Sequence, residues 1–520
     1  MKTIKYITAS LFCIVLLGSC KSEKNKESIL TKESKPNILL FLVDDMGWQD
    51  TSVPFWDKKT PLNEKYHTPN MERLANEGMK FTQAYATAIC SPTRVSLMTG
   101  MNAARHRVTN WTLKKNMIQP MEQNHPTLKF PKWNVNGLSP TGNISNAIHA
   151  TPLPQLLQDA GYYTIHSGKA HFGAIGTPSE NPKSIGFHVN IAGHAAGAPE
   201  SYLGIENFGN GKKGKEIWAV PDLENYHGKD IFLTEALTLE AKKAMDTALT
   251  KQQPFFLYMS HYAVHTPIMG DKRFLQKYLD NGLNSIEAKY ASLIEGMDKS
   301  LGDIMDYLEE KDIDENTIII FMSDNGGLSA HARDGKKHTH NKPLASGKGS
   351  IYEGGIREPM LVKWFQKVKP NSVVNDYVII EDFYPTILQM AGIENPETVQ
   401  TIDGNSFLPL LEEKEMPNNN RPLFWHFPNE WGISGPGIGA FSAVRQGDWK
   451  FIYFHKDARI ELFNIKNDIG EQENLVDENP AITKELATVL TNHLKAVKAQ
   501  MPIDKKNGKM VDYPLTVFQN

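Results

Sequence analysis

Four apolar runs constrain the fold of this chain more than any other feature of its sequence. Each run has the length of a strand, and together they are rich in β-branched and aromatic side chains. They cover residues 37–43, 162–165, 255–259 and 317–322. Runs of this kind are typical of strands that are buried on both faces, as they are in a parallel sheet.

Helical segments lie between these predicted strands. Residues 153–160 have a helical pattern, and apolar residues recur at i, i+3 and i+4 spacing over residues 286–308. Strands that alternate with helices predict an α/β fold, here a large, mostly parallel sheet flanked by helices. Sheets of this type place their chemistry beyond the carboxyl ends of the strands.

The character of the sequence changes near residue 421. Short apolar segments at 441–445, 449–454 and 460–463 are separated by turn residues, and a charged helix is predicted over 480–499. We therefore predict a main domain over residues 36–420. A smaller C-terminal subdomain, antiparallel and of α+β type, is predicted over residues 421–520.

The composition excludes several classes of protein. The chain has 520 residues, of which 40% are hydrophobic and 22% are charged, and its formal net charge is −3. These proportions are those of an ordinary globular protein, and they exclude a disordered chain or a coiled-coil rod. Proteins that bind the nucleic-acid backbone usually carry a basic surface, so we expect no nucleic-acid partner.

The N-terminus has the pattern of an export signal. A basic start is followed by an apolar stretch at 7–17 and by a Leu-Gly-Ser-Cys ending at Cys20. This ending resembles a bacterial lipobox, which implies a signal peptide over 1–19 and a lipidated Cys20. Residues 20–35 are charged and predict a tether. We expect an exported lipoprotein, anchored by lipid at the bacterial cell envelope on the periplasmic or surface face of the outer membrane; the alternative is a plain cleaved signal.

The strongest local motif begins at Cys90 and reads C-S-P-T-R-V-S-L-M-T-G. It resembles the maturation signature of the type I, formylglycine-dependent sulfatases of the alkaline-phosphatase-like superfamily, in particular bacterial polysaccharide sulfatases. The resemblance implies that Cys90 is oxidised to formylglycine (3-oxoalanine) by a formylglycine-generating enzyme or an anaerobic sulfatase-maturing enzyme. It also implies that residues 36–420 are the catalytic domain.

Hydrated formylglycine offers two hydroxyl groups where serine offers one. One hydroxyl of this geminal diol can attack sulfur, and the other can later expel sulfate and restore the aldehyde. The resemblance therefore implies an enzyme that hydrolyses sulfate esters and releases inorganic sulfate.

Two polar pairs follow predicted strands. Asp44 and Asp45 come after the first apolar run, and Asp324 and Asn325 come after the fourth. Both pairs should lie at one edge of the sheet. Their oxygen atoms suit Ca²⁺ or Mg²⁺ better than zinc. The resemblance implies Ca²⁺, one ion per chain, held by these residues and by the modified Cys90.

Five basic residues match other positions of the family motifs. Lys169 and His171 stand in G-K-A-H, His265 stands in H-T-P, and Lys348 begins K-G-S-I-Y-E-G-G-I-R-E-P. The resemblance implies that the lysines hold sulfate oxygens, that His171 takes the diol proton and that His265 protonates the leaving oxygen. Arg94 would make a third cationic contact or brace the modified residue. Fixed charges of this kind usually dominate catalysis.

The export signal and the family motifs together predict a sulfated carbohydrate substrate. Marine algal glycans such as ulvan or carrageenan fit, and so do host glycosaminoglycans. Candidate sugar contacts lie in stretches without clear periodicity, and they are Asn190, His194, Arg333 and His340, with Trp111 and residues 425–431 as further candidates.

Two other functions fit parts of the sequence. A phosphomonoester or phosphonate hydrolase of the same superfamily would share the fold, but such enzymes usually keep Ser or Thr as the nucleophile. A catalytically dead, glycan-binding lipoprotein would share the anchor, but the charged position of every motif is present. Sulfate release that depends on Cys90 would separate the three functions.

Overall fold

The structure is a computed structural model that describes residues 35–118, 125–330, 333, 336–416 and 420–519. The predicted signal peptide and all of the predicted tether except Lys35 lie outside the described residues. Residues 36–520 form one compact unit. Within the described part of the chain, no helix is both long enough and apolar enough to cross a membrane.

An eight-stranded sheet forms the centre of this unit. Its strands are β1 (Asn37–Val43), β2 (Met79–Tyr85), β3 (Tyr163–Gly168), β4 (Val189–Ile191), β5 (Phe255–Ser260), β6 (Thr317–Ser323), β7 (Arg357–Lys363) and β8 (Ser372–Ile379). Their order across the sheet is β8-β2-β7-β6-β1-β5-β3-β4. Among the described strands of this sheet only β7 runs antiparallel to its neighbours. The predicted mostly parallel sheet is therefore confirmed.

Strand β1 lies in the middle of the sheet and is buried on both faces. Leu40 packs in one apolar cluster and Phe41 in the other, and both side chains are fully buried. Full burial of such a side chain is worth roughly 1.5–3 kcal/mol. Burial on two faces therefore explains why the run is apolar without alternation.

Helices cover both faces of the sheet. The α-helices are α1 (Pro61–Lys65), α2 (Pro69–Glu77), α3 (Cys90–Thr99), α4 (Ala103–His106), α5 (Leu153–Asp159), α6 (Leu233–Thr250), α7 (Leu275–Asp280), α8 (Ser285–Glu310), α9 (Glu353–Ile356), α10 (Phe383–Met390), α11 (Leu408–Leu411), α12 (Pro480–Ala496) and α13 (Pro514–Gln519). Helices α3, α5 and α10 pack in one core, and α2, α6 and α8 pack in the other. This arrangement confirms the predicted α/β layers.

Shorter elements connect the helices and strands. Segments of 3₁₀ helix lie at Pro178–Glu180, Pro182–Ile185, Gly204–Gly209, Glu216–Trp218, Glu224–Tyr226 and Ile380–Asp382. Two-residue strands lie at Leu128–Lys129, Leu138–Ser139, Ile148–His149 and Ile503–Asp504. One of them, Glu216–Trp218, contributes Trp218 to the site described below.

The C-terminal part contains a separate antiparallel sheet. Its strands are β9 (Leu423–Phe427), β10 (Phe441–Gln446), β11 (Trp449–Phe454) and β12 (Ile460–Asn464). Trp425 and Ile452 on one face join a core of the large sheet, while Phe451 on the other face packs with Leu490 of α12. The predicted antiparallel α+β subdomain is confirmed, and its sheet is covered on both faces.

Candidate active site

The two predicted polar pairs meet at the carboxyl edge of the large sheet. Strands β1 and β6 are parallel neighbours with Val43 opposite Ser323, so the residues that follow them come together. The Asn325 side-chain amide donates to Asp45 Oδ1 at 2.8 Å, and the Asp45 backbone N–H donates to Asp324 Oδ1 at 3.3 Å. Both pairs are buried. The strand register thus assembles a cluster of oxygen atoms.

Two lysines neutralise part of this acidic cluster. Lys169, which follows β3, donates from Nζ to Asp44 Oδ2 at 2.6 Å. Lys348 lies before α9, and its Nζ is 2.6 Å from Asp45 Oδ1. A buried charge without a partner costs several kcal/mol, so lysines and carboxylates at this depth require each other.

Arg94 lies on α3 and is fully buried behind the acidic cluster. Its Nε donates to Asp324 Oδ2 at 2.9 Å, and its Nη1 donates to the Lys169 carbonyl at 2.9 Å and to Ser260 Oγ at 2.6 Å. The sequence leaves open a sulfate contact or a brace. In the structure the guanidinium braces Asp324 against the ends of β3 and β5.

The cluster has the donor set of a divalent metal site. Asp44 Oδ1 and Asn325 Oδ1 are buried, and neither has a hydrogen-bond partner among the described residues. Ligand atoms of Asp44, Asp45, Cys90 and His265 all lie within 4.8 Å of one another. Unpartnered buried oxygen atoms are costly unless something binds them. The residues present therefore fit a divalent cation.

The pKa values of Asp44 and Asp45 are shifted in opposite directions by burial and by neighbouring charges. Burial, with Asp324 close by, raises the pKa of Asp44 well above its usual value despite the attraction of Lys169. Burial also raises the pKa of Asp45, but Lys348 and His265 outweigh it and hold this pKa below its usual value. The charge that the protein leaves least compensated is thus at Asp44, where a cation would stabilise it most.

Cys90 is the first residue of α3, and only 4% of it is exposed. Its Sγ lies 3.6 Å from Lys348 Nζ. Burial raises the pKa of the Cys90 thiol, although Lys169 and Lys348 act in the opposite direction. Because the thiolate is the reactive form of cysteine, an unmodified thiol here is a weak nucleophile.

His171 has one committed ring nitrogen and one without a partner. Its Nε2 donates to the Thr112 carbonyl at 2.9 Å. Its Nδ1 is buried and has no partner within the described part of the chain. Burial, followed by the charge of Lys169, lowers the pKa of His171 well below its usual value, so the ring is neutral. A neutral ring in this tautomer leaves Nδ1 as a proton acceptor.

His265 is arranged in a similar way, with the opposite nitrogen committed. Its Nδ1 donates to the Thr266 carbonyl at 2.8 Å, while its Nε2 is 3.6 Å from Asp45 Oδ2. Burial and then the charge of Lys348 lower the pKa of His265 to about 3. The Nε2 atom is therefore the position at which His265 exchanges a proton.

These groups form one end of a cavity of about 470 Å³. The polar end is lined by Asp45, Cys90, His171, His265 and Lys348. The remaining wall is largely apolar and contains three tryptophans, Trp111, Trp218 and Trp431, with Glu200 and Lys215 beside them. A concave site with an aromatic wall and a few convergent polar groups is typical of a small-molecule binding site.

The four candidate sugar contacts are absent from the described lining of this cavity. Asn190 donates from Nδ2 to the Gly193 carbonyl at 2.9 Å, and His194 is largely buried beside Tyr262. His340 Nδ1 lies 3.3 Å from a serine hydroxyl, that of Ser329. Asn190 and His340 thus make polar contacts within the protein, whereas the Nε2 atom of His194 has no hydrogen-bond partner among the described residues.

Arg333 belongs to a buried ionic network. Its Nη1 lies 3.2 Å from Asp50 Oδ2, and its Nη2 lies 3.1 Å from Glu287 Oε1. Its guanidinium also stacks 3.9 Å from the centre of the Tyr290 ring. This side chain is fully buried, so its contacts are with the protein interior.

Trp111 and Trp431, which are candidates from the sequence, do line the cavity, whereas Trp218, Lys215 and Glu200 are not identified by the sequence. Trp218 ends a 3₁₀ segment in a stretch that has no hydrophobic period. Lys215 Nζ lies 3.7 Å from Glu200 Oε2. Of these three residues, only Trp218 could have been identified from the sequence, as an isolated aromatic residue in a polar loop.

Comparisons with known proteins agree with this geometry. The family model described as Sulfatase matches residues 36–393, and the model described as N-sulphoglucosamine sulphohydrolase, C-terminal, matches residues 346–500. A protein named Sulfatase from Formosa agariphila is 30% identical over 99% of this chain and 97% of its own length.

Two further relatives carry more specific names. N-acetylgalactosamine-6-sulfatase of Mus musculus is 31% identical over 76% of this chain and 69% of its own length. The crystal structure of Ps i-CgsB in complex with k-i-k-neocarrahexaose is 26% identical, has a TM-score of 0.71, and covers 93% of this chain and 97% of its own. The expected family is confirmed, and this chain belongs to the sulfatase family of enzymes.

Proposed function

We propose that this enzyme hydrolyses sulfate esters on a sulfated carbohydrate and releases inorganic sulfate. The observation that carries the proposal is the cavity itself, in which a buried cluster of charged groups adjoins a wall of three tryptophans. Flat aromatic faces pack well against the apolar faces of sugar rings. Lys348 supplies positive charge at the polar end, where a sulfate group would lie.

We propose further that residue 90 acts as formylglycine, made from Cys90 by a maturation enzyme. The raised pKa of the Cys90 thiol makes the unmodified residue a poor nucleophile, which supports this assignment. Hydrated formylglycine would supply one hydroxyl to attack sulfur and a second whose deprotonation releases sulfate.

We propose Ca²⁺ as the cation of the acidic cluster. Asp44, Asp45, Asp324, Asn325 and residue 90 would hold it, and the unpartnered oxygen atoms of Asp44 and Asn325 support this ligand set. Carboxylate and amide oxygens suit Ca²⁺ or Mg²⁺, and family resemblance favours Ca²⁺. When bound, the cation would stabilise negative charge on the sulfate oxygens and lower the pKa of the nucleophilic hydroxyl.

The roles of the two lysines and of His171 follow from which of their atoms are already held by hydrogen bonds and which face the cavity. Lys348, which lines the cavity, would hold a sulfate oxygen, and Lys169 would fix Asp44 and contribute charge from behind it. His171 would accept a proton at Nδ1 when sulfate leaves, since its Nε2 is held by a carbonyl.

His265 would donate a proton from Nε2 to the leaving sugar oxygen. The low pKa of His265 leaves little of it protonated in the free site. A bound sulfate group brings negative charge next to the ring, which raises the pKa of His265 and favours the protonated form. Binding of the substrate would thus favour the protonated form of His265, which is the form that acts as the general acid.

We propose a galactose-configured sugar as the substrate. The names of two relatives, N-acetylgalactosamine-6-sulfatase and the Ps i-CgsB complex with k-i-k-neocarrahexaose, support this choice. We also propose that the protein is exported and anchored at the cell envelope through lipidated Cys20, where it would meet such glycans; the lipobox-like ending at Cys20 supports this location.

Sulfate release from a glycan panel tests the proposal. The panel contains N-acetylgalactosamine 6-sulfate, k-i-k-neocarrahexaose, chondroitin 6-sulfate and ulvan, with a phosphomonoester and a phosphonate monoester as the competing substrates. We expect sulfate release from at least one glycan, and loss of at least about 1,000-fold in Cys90→Ala. Equal release by Cys90→Ala, or preference for the phosphorus esters, would overturn it.

Mass spectrometry provides an independent control. Protein from a host with a maturation enzyme should contain the residue-90 peptide in aldehyde form, and Cys90→Ala should not. A purely unmodified thiol in fully active protein contradicts the nucleophile assignment while leaving the substrate assignment intact.

A further inference from the structure

A second cavity, of about 240 Å³, lies next to the catalytic cavity. Trp431 and Ile433 line both cavities, so together they form a shared wall. The second cavity is built mainly from two loops that connect strands of the C-terminal sheet, at residues 430–440 and 456–459, and from residues 125–130. The catalytic cavity is built at the edge of the large sheet. The two cavities are therefore neighbours that meet at Trp431 and Ile433.

The lining of the second cavity combines aromatic faces with polar groups. Phe130 and Trp431 supply the rings, and Lys456 and Arg459 supply the cations. The lining also contains two carboxylates, Glu430 and Asp457, of which Asp457 Oδ2 lies 3.8 Å from Arg459 Nε. Arg459 is committed, because it pairs with Glu461 and stacks 3.9 Å from the centre of the Phe454 ring.

Lys456 is the uncommitted cation of this cavity. Within the part of the chain that the structure describes, no carboxylate lies within ion-pair distance of its ammonium group. His125 faces the same cavity, and its Nε2 lies 3.4 Å from Glu430 Oε1. Burial lowers the pKa of His125, against the opposing effect of Glu430.

We propose that the second cavity binds the neighbouring sugar unit of the same glycan, with an anionic substituent of that unit at Lys456. The proposal rests on the proposed function, because it takes a sugar in the catalytic cavity as its starting point. Two observations carry it: the wall shared through Trp431, and a lysine without a carboxylate partner beside aromatic faces. The substrate class is then an oligosaccharide that carries a sulfate or carboxylate on the unit next to the cleaved ester.

Binding to an inert variant tests this inference without relying on turnover. Cys90→Ala is titrated calorimetrically with k-i-k-neocarrahexaose and with N-acetylgalactosamine 6-sulfate. We expect the hexaose to bind more tightly, and adding Lys456→Ala should raise the ratio of hexaose Kd to monosaccharide Kd about fivefold. The effect should shrink when NaCl is raised from about 0.05 M to about 0.5 M, because salt screens exposed charge.

Lys484→Ala, an exposed lysine on α12, is the matched control and should leave both Kd values unchanged. Absence of hexaose binding, or an unchanged Kd ratio in Lys456→Ala, would overturn the inference. The proposed function fails in a different way, by absence of sulfate release from every glycan with the mature active enzyme. The two failures are thus read from different proteins and different measurements.

Discussion

The two ends of the catalytic cavity differ in how the chain builds them. At the polar end, the functional side chains follow the buried strands β1, β3 and β6 or begin α3, and most of them are tied to one another by hydrogen bonds of 3 Å or less. At the aromatic end, Trp111, Trp218 and Trp431 come from loops that the sheet does not position. The polar end is thus fixed by hydrogen bonds at the edge of the large sheet, whereas the tryptophans lie on loops. The two parts meet where Lys348 Nζ lies 5.9 Å from the centre of the Trp431 ring.

Removal of Arg94 should give the largest effect, because it removes the brace of the polar end. Arg94→Leu leaves Asp324 buried without its cation, and breaking a buried pair in this way costs about 3–5 kcal/mol. We expect sulfate release to fall at least about 1,000-fold, since Asp324 would no longer be held. Urea unfolding measures the first effect. The second is measured as activity per folded molecule that carries the residue-90 aldehyde, because Arg94 also belongs to the maturation motif.

Arg333→Leu is the matched control for that variant. Arg333 is equally buried and also pairs with two carboxylates, but it lies outside the cavity lining. We expect a similar loss of unfolding free energy with nearly normal activity per folded molecule. Equal activity losses in both variants would show that the polar end is no more sensitive than the rest of the interior.

Chelation should give the second largest effect. Removing the divalent cation with EGTA should leave the repulsion within the Asp44, Asp45 and Asp324 cluster unbalanced. We expect a fall of a few degrees in Tm, reversed by Ca²⁺ at concentrations well above its Kd. Activity should fall at least about 100-fold.

The identity of the cation is tested by adding Ca²⁺ or Mg²⁺ back to the chelated protein and measuring the recovery of Tm and activity. Ca²⁺ should restore both Tm and activity at lower concentration than Mg²⁺, since the smaller ion demands stricter octahedral geometry. A Tm that does not respond to chelation would argue against a metal at the polar end.

A smaller effect is expected at the aromatic end, at Gly349. A Cβ placed at Gly349 would lie 2.2 Å from the Trp431 ring, and the backbone there has φ +87°. Gly349→Ala should therefore move Trp431, with a backbone strain of about 1–2 kcal/mol, and raise KM about tenfold. Because Lys348 precedes Gly349, we also expect a smaller fall in kcat from displacement of its ammonium group. Steady-state kinetics on the best glycan of the panel measure it.

Gly161→Ala is the control that separates the effect of backbone strain from the effect of displacing Trp431. Gly161 has φ +92° but no atom within 4 Å of the added Cβ. It should lose similar stability without a change in KM. A large fall in kcat in Gly349→Ala with unchanged KM would mean that the wall and the reaction centre are coupled.

The smallest effect is expected at Trp218. Trp218→Ala should raise KM about fivefold and leave kcat within about twofold, because the ring contributes packing area and touches no reacting group. Trp218→Phe keeps a flat ring and should recover most of the affinity. Loss of kcat in both variants would contradict the separation of the two ends.

The sequence predicts the polar end well because burial on two faces leaves a readable pattern. The first apolar run became β1, and the register with β6 brought Asp45 and Asn325 within hydrogen-bond distance. Strands with partly exposed residues leave no such pattern. β8 lies at the edge of the sheet and alternates between half-buried and exposed residues over its first four positions, and the sequence does not identify it.

The sequence predicts the recognition wall poorly for a related reason. Asn190 and His194 are polar candidates from the sequence, yet the Asn190 amide at β4 donates to the Gly193 carbonyl and the His194 ring packs beside Tyr262. Arg333 illustrates the same competition, since two interior carboxylates claim it. No periodic pattern in the sequence indicates which polar side chains of a loop are free to contact a ligand.

The burial of α3 has a consequence for the order of events in the life of the chain. Every residue from Cys90 to Thr99 is buried, including the proline and arginine of the motif. A maturation enzyme that recognises this segment needs it extended and accessible, and opening it in the folded protein would disrupt the core around the large sheet. The proposed conversion of Cys90 would therefore precede the folding of this segment, and a molecule that folded first would keep an unmodified thiol at residue 90.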